Sequence, residues 1–506
     1  MSEEPLRART RQLVLAAIVL FAFVVRVWGI GKVPFWIDEY TTYFFATEPL
    51  SRIFSADYLA ETNPPLYYLL QRAWLVFGDS EFAMRLLPVC ISTLCVPMLY
   101  LLGKESLGPK QGLVAAGLLA TAPLHIEHSH NVRTYSLLTF GILGCTLFLV
   151  RLFKAYGVDK AERPAQRLGT LWLCYGLTHL AVLYMHNTAW LYPALTNVLV
   201  FGLVAFRCLP IRFLKHWVGV NALLLLAGMP WLLAMVKQSG TVMRTFWVPP
   251  TTPSYAYAQV MGLFPHSRIA KLLVFALAPW GLFSLRRRPW LVALLLVFML
   301  GQPLLMIGAS LHQPMLLTRT MLWPTALVWL PVASAACGLT FLHGYAGIAL
   351  GAVLGLFQLT EIRGWWSDAA RARTPIQGLI EPLAGFDRDH DVLIVAPSVF
   401  AWDVWYEGRR FNLPRRGLGL TFDDKPTQLH AWLGVDEVPR SELVARLGAT
   451  TGKVWLLLET RSFMARVPPD AFSSVVAELG RWGAVQQTWT SERFVLDVFA
   501  RSSIPK

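Results

Sequence analysis

Two adjacent carboxylates, Asp38 and Glu39, follow the first long apolar run, in the stretch PFWIDEYTTYFFA. Charged side chains are costly to hold beside lipid, so carboxylates at the mouth of a membrane helix indicate a function. A carboxylate near a low-dielectric wall can act as a general base, because burial raises its proton affinity. The structural alternative is a helix N-cap or a salt bridge, since a DE dipeptide is common. The pair is therefore the first candidate for catalysis.

Two arginines at the starts of apolar runs are candidates for holding an anion. Arg133 closes the segment TAPLHIEHSHNVR, and Arg319 precedes another run in LTRTMLWP. A guanidinium can grip a phosphate through two parallel hydrogen bonds. Two guanidinium groups at the same depth would form a phosphate clamp. The structural alternative is an interfacial anchor whose charged end reaches toward lipid head groups.

Further polar and aromatic residues in the same stretches complete the candidate substrate-binding set. They are Asn63, His128, Tyr135, His186 and Arg244. Arg244 belongs to a proline-containing loop that is predicted to be a mobile flap. The histidines at 125, 128 and 130 raise the question of a metal, but a metal site there would need a carboxylate partner in the right geometry, and Glu127 is expected to face the other way. A lone histidine such as His186 is more often an interfacial residue than a ligand.

The composition places these residues beside a membrane. Of 506 residues, 55% are hydrophobic and only 15% are charged, whereas a soluble protein carries roughly a quarter charged residues. A membrane span needs about 20 apolar residues. Apolar runs recur along the first two thirds of the chain, and the run 112–124 is the least secure because it is short and contains Gly and Pro. The eleven runs are 13–30, 86–103, 112–124, 134–152, 168–185, 189–206, 217–236, 269–285, 290–310, 320–341 and 345–361.

The distribution of basic residues predicts the orientation of the chain. The net charge is +14, and nearly all of the excess lies before residue 363. Lysine and arginine cluster in alternate loops, at 7–11, 104–110, 151–167, 207–215 and 286–288. By the positive-inside rule these loops are cytoplasmic, which predicts a cytoplasmic N-terminus and an outer C-terminal segment. The basic balance therefore reflects topology, and no nucleic-acid partner is expected.

The composition changes after Trp365 and Trp366. Apolar runs shorten to strand length, at 392–396, 454–458 and 494–499, and alternate with a helix-like stretch at 470–479. This alternation predicts a small α/β domain. We therefore predict a transmembrane catalytic domain over residues 1–362 and an extracytoplasmic soluble α/β domain over residues 363–506. The aromatic and basic residues at 402–410 are expected to help select an acceptor.

Four motifs in order carry a family resemblance: P-x-W-x-DE-x-x-T, N-PP-LYYLL, R-LLPVCISTL and H-x-x-HSHNVR-x-Y. Their order and spacing resemble the GT-C membrane glycosyltransferases, in the family-39 branch of dolichyl-phosphate-mannose–protein mannosyltransferases and aminoarabinose-transferase-like proteins. The resemblance is strong over residues 15–200, diffuse from there to 340 and only architectural beyond 363. It implies a GT-C fold with about eleven transmembrane helices.

The resemblance also implies an activity. These enzymes move a sugar, with inversion, from a polyprenyl-phosphate donor to an acceptor hydroxyl on the outer face of the bacterial cytoplasmic membrane. The catalytic carboxylate of the family matches Asp38, and Glu39 matches the second acidic residue of that motif. The arginines that hold the lipid phosphate match Arg133 and Arg319. The implied partners are the lipid-linked donor, a lipid, glycan or protein acceptor, and membrane lipids, with no cofactor and no obligatory metal.

Two departures from the family pattern bear on the sugar. Aminoarabinose transferases often carry Glu-Lys before Pro-Pro, where this chain has Thr62 and Asn63. Many relatives read S-Q-E-A-R-x-Y where this chain reads SHNVRTY, so Asn131 replaces the acidic residue. The departures leave the reaction class in place but argue against an aminoarabinose substrate.

Three alternative classes stay open. A lipid-linked sugar transporter or flippase would also have many spans, but it would be expected to show repeat symmetry and charged residues near the bilayer midplane, and neither is found. A binding scaffold is disfavoured by the grouping of the candidate residues on one predicted side. A metal-dependent oligosaccharyltransferase-like enzyme would need a second acidic ligand to pair with Asp38, and Glu127 is the nearest candidate.

Overall fold

The chain forms two compact units, described from a computed structural model. The first unit comprises Met1–Lys32 and Thr62–Arg371, and the second comprises Val33–Glu61 and Ala372–Lys506. The polypeptide therefore leaves the first unit after its first helix, contributes a segment to the second unit and then returns. The structure describes residues 3–55, 58, 61–158, 168–242, 248–338, 346–371, 376–411, 413, 418–421, 436–459, 471–491 and 494–501.

Helices dominate the described chain. In chain order they are α1 (Glu3–Val27), α2 (Ile37–Thr47), α3 (Leu50–Ile53), α4 (Leu66–Trp74), α5 (Glu81–Ser106), α6 (Pro109–Thr121), α7 (Pro123–Ser129), α8 (Tyr135–Ala155), α9 (Leu168–Leu183), α10 (Leu191–Ala205), α11 (Arg212–Val242), α12 (Pro253–Met261), α13 (Arg268–Ser284), α14 (Pro289–His312), α15 (Leu322–Gly338), α16 (Ala346–Arg371), α17 (Gln377–Ile380), α18 (Ala401–Gly408), α19 (Leu443–Arg446) and α20 (Ala471–Trp482). Short 3₁₀ turns precede α10 at Asn187–Trp190 and α15 at Thr318–Met321.

Apolar helices of membrane-spanning length confirm the predicted multi-pass membrane architecture. In the described part of the chain, seven helices are long and apolar enough to cross a membrane, and two shorter apolar helices accompany them. The least secure predicted run, 112–124, is divided between α6 and α7, because Pro123 begins a new helix there. The count of eleven spans stays a prediction. The seven long segments are Ala8–Val27, Glu81–Ser106, Tyr135–Ala155, Asn187–Ala205, Arg212–Ser239, Pro289–His312 and Thr318–Gly338.

Glycine allows close helix approaches in the first unit. A Cβ added at Gly281 of α13 would lie 1.9 Å from the carbonyl oxygen of Pro331 in α15. A Cβ at Gly112 of α6 would lie 2.8 Å from the carbonyl oxygen of Tyr100 in α5. Membrane helices associate largely through such close packing of small residues, since lipid tails are as apolar as the side chains they replace.

The second unit contains a six-stranded mixed sheet. Its spatial order is β3-β2-β1-β4-β6-β5, with β1, β2, β3 and β4 parallel to one another and β6 antiparallel to β4 and β5. Predicted strands at 392–396, 454–458 and 494–499 are confirmed, and three more strands are present. The strands are β1 (Val392–Ala396), β2 (Leu418–Thr421), β3 (Asp436–Pro439), β4 (Val454–Glu459), β5 (Ala484–Thr490) and β6 (Phe494–Ala500).

An apolar core holds this sheet to its helices. Ile394 and Leu456, on the neighbouring strands β1 and β4, are both fully buried, and Leu443 of α19 and Leu479 of α20 pack into the same cluster. Strand β4 is buried along its whole length, as expected for a central strand covered on both faces. The predicted α/β class of the C-terminal region is therefore confirmed.

Candidate active site

The acidic pair lies in the first turn of α2, within the second unit. Glu39 is only 1% exposed, and its Oε2 accepts the backbone N–H of Trp36 at 3.2 Å. Trp36 is the N-cap residue of α2, so the Glu39 carboxylate satisfies one of the donors that every helix start leaves unpaired. Asp38 is half-buried one position earlier. The two carboxylates thus have different environments: Glu39 caps the helix, and Asp38 is the more accessible of the two.

Helix α18 packs on the helix that carries the acidic pair. The Tyr406 ring lies 4.9 Å from Phe35, 5.2 Å from Tyr40 and 4.9 Å from Tyr43, centroid to centroid. The Trp402 and Trp405 rings lie 6.3 and 6.1 Å from Phe44.

This packing changes the interpretation of the aromatic residues at 402–410. Trp402, Trp405 and Tyr406 are all less than 5% exposed. The expectation that these rings help select an acceptor is therefore wrong, because they are buried in packing contacts. The guanidinium of the partly exposed Arg409 lies 3.5 Å from the centroid of the Tyr406 ring, and the side chain of residue 410 lies outside the described part of the structure.

A second group of candidate residues comes together in the first unit, where α7 and α8 meet. Arg133 lies in the turn before α8, and its Nη1 donates to the Tyr68 hydroxyl of α4 at 3.4 Å. The Tyr135 ring lies 5.4 Å from the His128 ring and 5.9 Å from the His186 ring. Tyr68, in the NPPLYY motif, is the partner that sequence reasoning did not single out. We call His128, Arg133, Tyr135, His186 and Arg319 the basic cluster.

Burial makes the histidines of the basic cluster neutral and leaves its charge on the arginines. The pKa of His186 is lowered to about 3, first by burial and then by the charges of Arg133 and Arg319. The pKa of His128 is also lowered to about 3, by burial and by Arg319. Both arginines therefore act electrostatically on the same imidazole, although they stand 186 positions apart in the sequence. Two cations beside neutral N–H donors suit an anionic ligand.

Hydrogen bonds fix the orientation of His186. Its Nδ1 accepts the backbone N–H of Thr188 at 3.0 Å, so the proton of the neutral ring is on Nε2. The next residue, Asn187, donates from its amide to the carbonyl oxygen of Thr62 at 2.5 Å and accepts from the Trp231 indole at 2.8 Å. These bonds bring the chain beside Asn63 to the turn that holds His186.

A buried arginine connects α1 to the helices that lead into this region. Arg26 of α1 is fully buried and donates to the carbonyl oxygens of Leu119 and Ala120 at 3.1 and 2.9 Å, where α6 ends. It also donates to the Ser92 hydroxyl at 2.9 Å, and Ser92 in turn donates to the carbonyl oxygen of His125 in α7 at 3.3 Å. Arg26 was not among the sequence candidates, because an arginine near the end of an apolar run is usually an interfacial anchor.

The predicted site residues are thus divided between the two units. Asp38 and Glu39 belong to the second unit and the basic cluster to the first. Arg244 lies outside the described residues. Among the described residues, no group of three or more His, Cys, Asp and Glu side chains is arranged to hold a metal ion. His125 instead hydrogen-bonds Thr325 through Nε2 at 2.9 Å.

Comparison with known proteins gives a consistent result. The family model described as dolichyl-phosphate-mannose-protein mannosyltransferase matches residues 62–209. The undecaprenyl phosphate-alpha-4-amino-4-deoxy-L-arabinose arabinosyl transferase of Pseudomonas aeruginosa is 26% identical over 305 residues, which is 56% of this chain and 51% of that protein. ArnT from Cupriavidus metallidurans superposes with TM-scores of 0.66 in the apo state and 0.62 bound to undecaprenyl phosphate, at 12% and 13% identity, over 96% or more of both chains.

The fold of the chain is that of the GT-C glycosyltransferases. The Archaeoglobus fulgidus oligosaccharyltransferase shares this GT-C fold, with a TM-score of 0.59 and 12% identity over 98% of this chain and 74% of that one. Identities this low establish the fold alone. The match to the Pseudomonas transferase spans about half of that protein's length. The family model covers Tyr68 and Arg133 but not Asp38 or Arg319.

Proposed function

We propose that this GT-C protein is an inverting glycosyltransferase. It moves a sugar from a polyprenyl-phosphate donor to an acceptor hydroxyl on the outer face of the bacterial cytoplasmic membrane. The second unit is extracytoplasmic in this proposal, in line with the positive-inside rule. Support comes from one relative and one family model: ArnT from Cupriavidus metallidurans has been seen bound to undecaprenyl phosphate, and the matching family model is described as dolichyl-phosphate-mannose-protein mannosyltransferase.

The grouping of the basic cluster is the observation that carries the proposal: the Tyr135 ring lies 5.4 Å from His128 and 5.9 Å from His186, and the charges of Arg133 and Arg319 both lower the pKa of His186. A departing polyprenyl phosphate accumulates negative charge as the bond to the sugar breaks, and preorganised cations stabilise that charge in the transition state. Guanidinium groups suit this role, because each can hold two phosphate oxygens. The Nε2–H of His186 supplies a further neutral donor.

Asp38 is the general base of the proposed reaction. An acceptor hydroxyl must lose its proton as it attacks the sugar, and a positioned carboxylate is the group for that step. Glu39 is occupied as the cap of α2, so its role in the proposal is to fix the turn that presents Asp38. Replacing Glu39 by Gln keeps one oxygen for the Trp36 N–H and should therefore cost less activity than a change at Asp38.

Donor binding tests the proposal directly. Purified protein in lipid nanodiscs is titrated with undecaprenyl phosphate and, separately, with undecaprenol, which has the same chain and no charge. We expect Arg133→Ala and Arg319→Ala each to weaken phosphate binding by about 10- to 100-fold, since a hydrogen bond to a charged group contributes about 1.5–3 kcal/mol. Lysine at either position should restore binding only in part, because it lacks the planar fork.

The control variant is Arg287→Ala. Arg287 is exposed in the loop before α14, so its loss should leave phosphate binding unchanged. In parallel, wild-type protein is given a labelled lipid-linked sugar, and release of polyprenyl phosphate in the presence of candidate acceptors is measured. Unchanged phosphate affinity in both alanine variants would remove the basic cluster from the donor site. Transport of the lipid-linked sugar without bond cleavage would favour the flippase alternative.

A further inference from the structure

The helix that carries the acidic pair is fixed by a residue near the other end of the sequence. Within the second unit, the Tyr40 hydroxyl of α2 donates to Glu407 Oε1 of α18 at 3.2 Å, across 367 positions of sequence. Tyr40 is fully buried and Glu407 is 8% exposed. A hydrogen bond in such a site is costly to break, because both groups would be left without water.

The acidic surroundings determine which of the two groups donates this hydrogen bond. Burial raises the pKa of Tyr40 well above its usual value, and Asp403 and Glu407 raise it further. The phenol therefore stays protonated and acts as the donor, with the Glu407 carboxyl as acceptor. Burial, Glu407 and Glu459 likewise raise the pKa of Asp403, one turn before Glu407.

The first turn of α2 transmits any movement of Tyr40 to the acidic pair. The backbone N–H groups of Glu39 and Tyr40 both donate to the carbonyl oxygen of Trp36, at 2.8 and 3.1 Å. The Glu39 carboxylate closes the same turn from the other side. Asp38 lies within this closed turn, two positions before Tyr40. A rotation of α2 that releases the Tyr40 hydroxyl therefore also redirects the Asp38 side chain.

We propose that Tyr40 and Glu407 are positioning residues for sugar transfer, through which the C-terminal region sets the orientation of Asp38. The proposal rests on the proposed function, in which Asp38 is the base. Neither residue touches the reacting atoms. Their contribution is geometric, and misplacement of a catalytic group by about 1 Å can cost up to about 100-fold in rate.

Four variants test this pair. Tyr40→Phe removes one oxygen and keeps the ring packing, and Glu407→Leu removes the acceptor. We expect each to lower kcat by about tenfold with the donor KM and phosphate affinity unchanged. Glu407→Gln retains an oxygen that can accept the bond and should stay within about threefold of wild type. The double variant Tyr40→Phe with Glu407→Leu should be no worse than the more impaired single variant, because both remove the same interaction.

Tyr257→Phe is the matched control. Tyr257 is 67% exposed on α12, so the same atom is removed where no packing depends on it, and activity should be unchanged. Hydrogen exchange of α2 amides gives a readout that does not need activity: Tyr40→Phe should speed exchange in α2, and Tyr257→Phe should not.

The outcomes separate the positioning role from the proposed function. A folded Tyr40→Phe protein with wild-type kcat overturns the positioning role, and so does an equal loss of activity in Glu407→Gln and Glu407→Leu. If wild-type protein transfers no sugar, the proposed function fails. The contribution of the Tyr40–Glu407 hydrogen bond to the order of α2 is then tested by hydrogen exchange alone. Unchanged exchange of α2 amides in Tyr40→Phe overturns that contribution as well.

Discussion

Gly281→Ala should destabilise the protein, because it places a methyl group against the backbone of a neighbouring helix. The new Cβ would lie 1.9 Å from the carbonyl oxygen of Pro331 and 2.5 Å from its carbonyl carbon. Both atoms belong to the backbone of Pro331, near the middle of α15, so no side-chain rotation relieves the overlap. The two helices must separate until the closest contact grows from 1.9 Å to at least 3.0 Å, a displacement of about 1.1 Å.

The magnitude follows from two opposing terms. Overpacking in a close-packed interior costs about 1–3 kcal/mol, and a contact between two backbones belongs at the upper end of that range. Alanine gains about 0.5–1 kcal/mol over glycine inside a helix. We therefore expect Gly281→Ala to lower the free energy of unfolding by about 2 kcal/mol.

Gly308→Ala is the control for this change. Gly308 lies in α14, and nothing stands within 4 Å of the position that an added methyl group would take. The same substitution should there raise the free energy of unfolding by about 0.5–1 kcal/mol. Equilibrium unfolding in detergent with SDS, followed by tryptophan fluorescence, measures both variants. Equal stabilities for Gly281→Ala and Gly308→Ala would refute the close approach of α13 and α15.

Three further predictions concern activity and pH. Asp38→Asn should reduce transfer of a labelled sugar by about 100-fold or more, the usual contribution of a positioned base, with phosphate affinity nearly unchanged; a near wild-type rate in folded protein would exclude Asp38 as the base. Added EDTA should leave the transfer rate unchanged, and activity that is lost with EDTA and restored by Mg²⁺ or Mn²⁺ would contradict this. The Glu361 carboxylate, 3.7 Å from Nδ1 of His266, raises the pKa of His266. Stability from this pair is therefore present below pH 6.5 and disappears as pH rises through the folded-state pKa. Unfolding temperatures measured from pH 5.5 to 9 should show a deficit of His266→Gln against wild type that shrinks with pH, while His312→Gln, at an exposed site, should show no such trend.

The features that were predictable from sequence are the local ones. A membrane helix is recognised from about 20 consecutive apolar residues, and the buried strands β1, β4 and β6 are recognised as short apolar runs. Strand β5 was missed because it is exposed along nearly its whole length and therefore has no apolar run. The short strands β2 and β3, of four residues each, give too little pattern to recognise.

Two arginines of the candidate site were predictable from their positions at the starts of apolar runs. Arg133 and Arg319 were selected because each begins an apolar run on the predicted outer side, and both act on His186 in the structure. The partnership of Tyr40 with Glu407 was not predictable, because no local pattern marks a contact across 367 positions. The roles assigned to these residues stay predictions until the variants are measured.

The packing of α2 on α18 can form only late in the synthesis of the protein. The ribosome adds about 5–20 residues per second, so the 367 positions between Tyr40 and Glu407 correspond to roughly 20–70 s of synthesis. Throughout that interval the acidic turn has emerged without the helix that completes its core. A chain interrupted before residue 400 holds its membrane helices but lacks α18. Such a product is therefore delivered to the membrane with an acidic turn that lacks its packing partner, and only synthesis through α18 completes the packing around that turn.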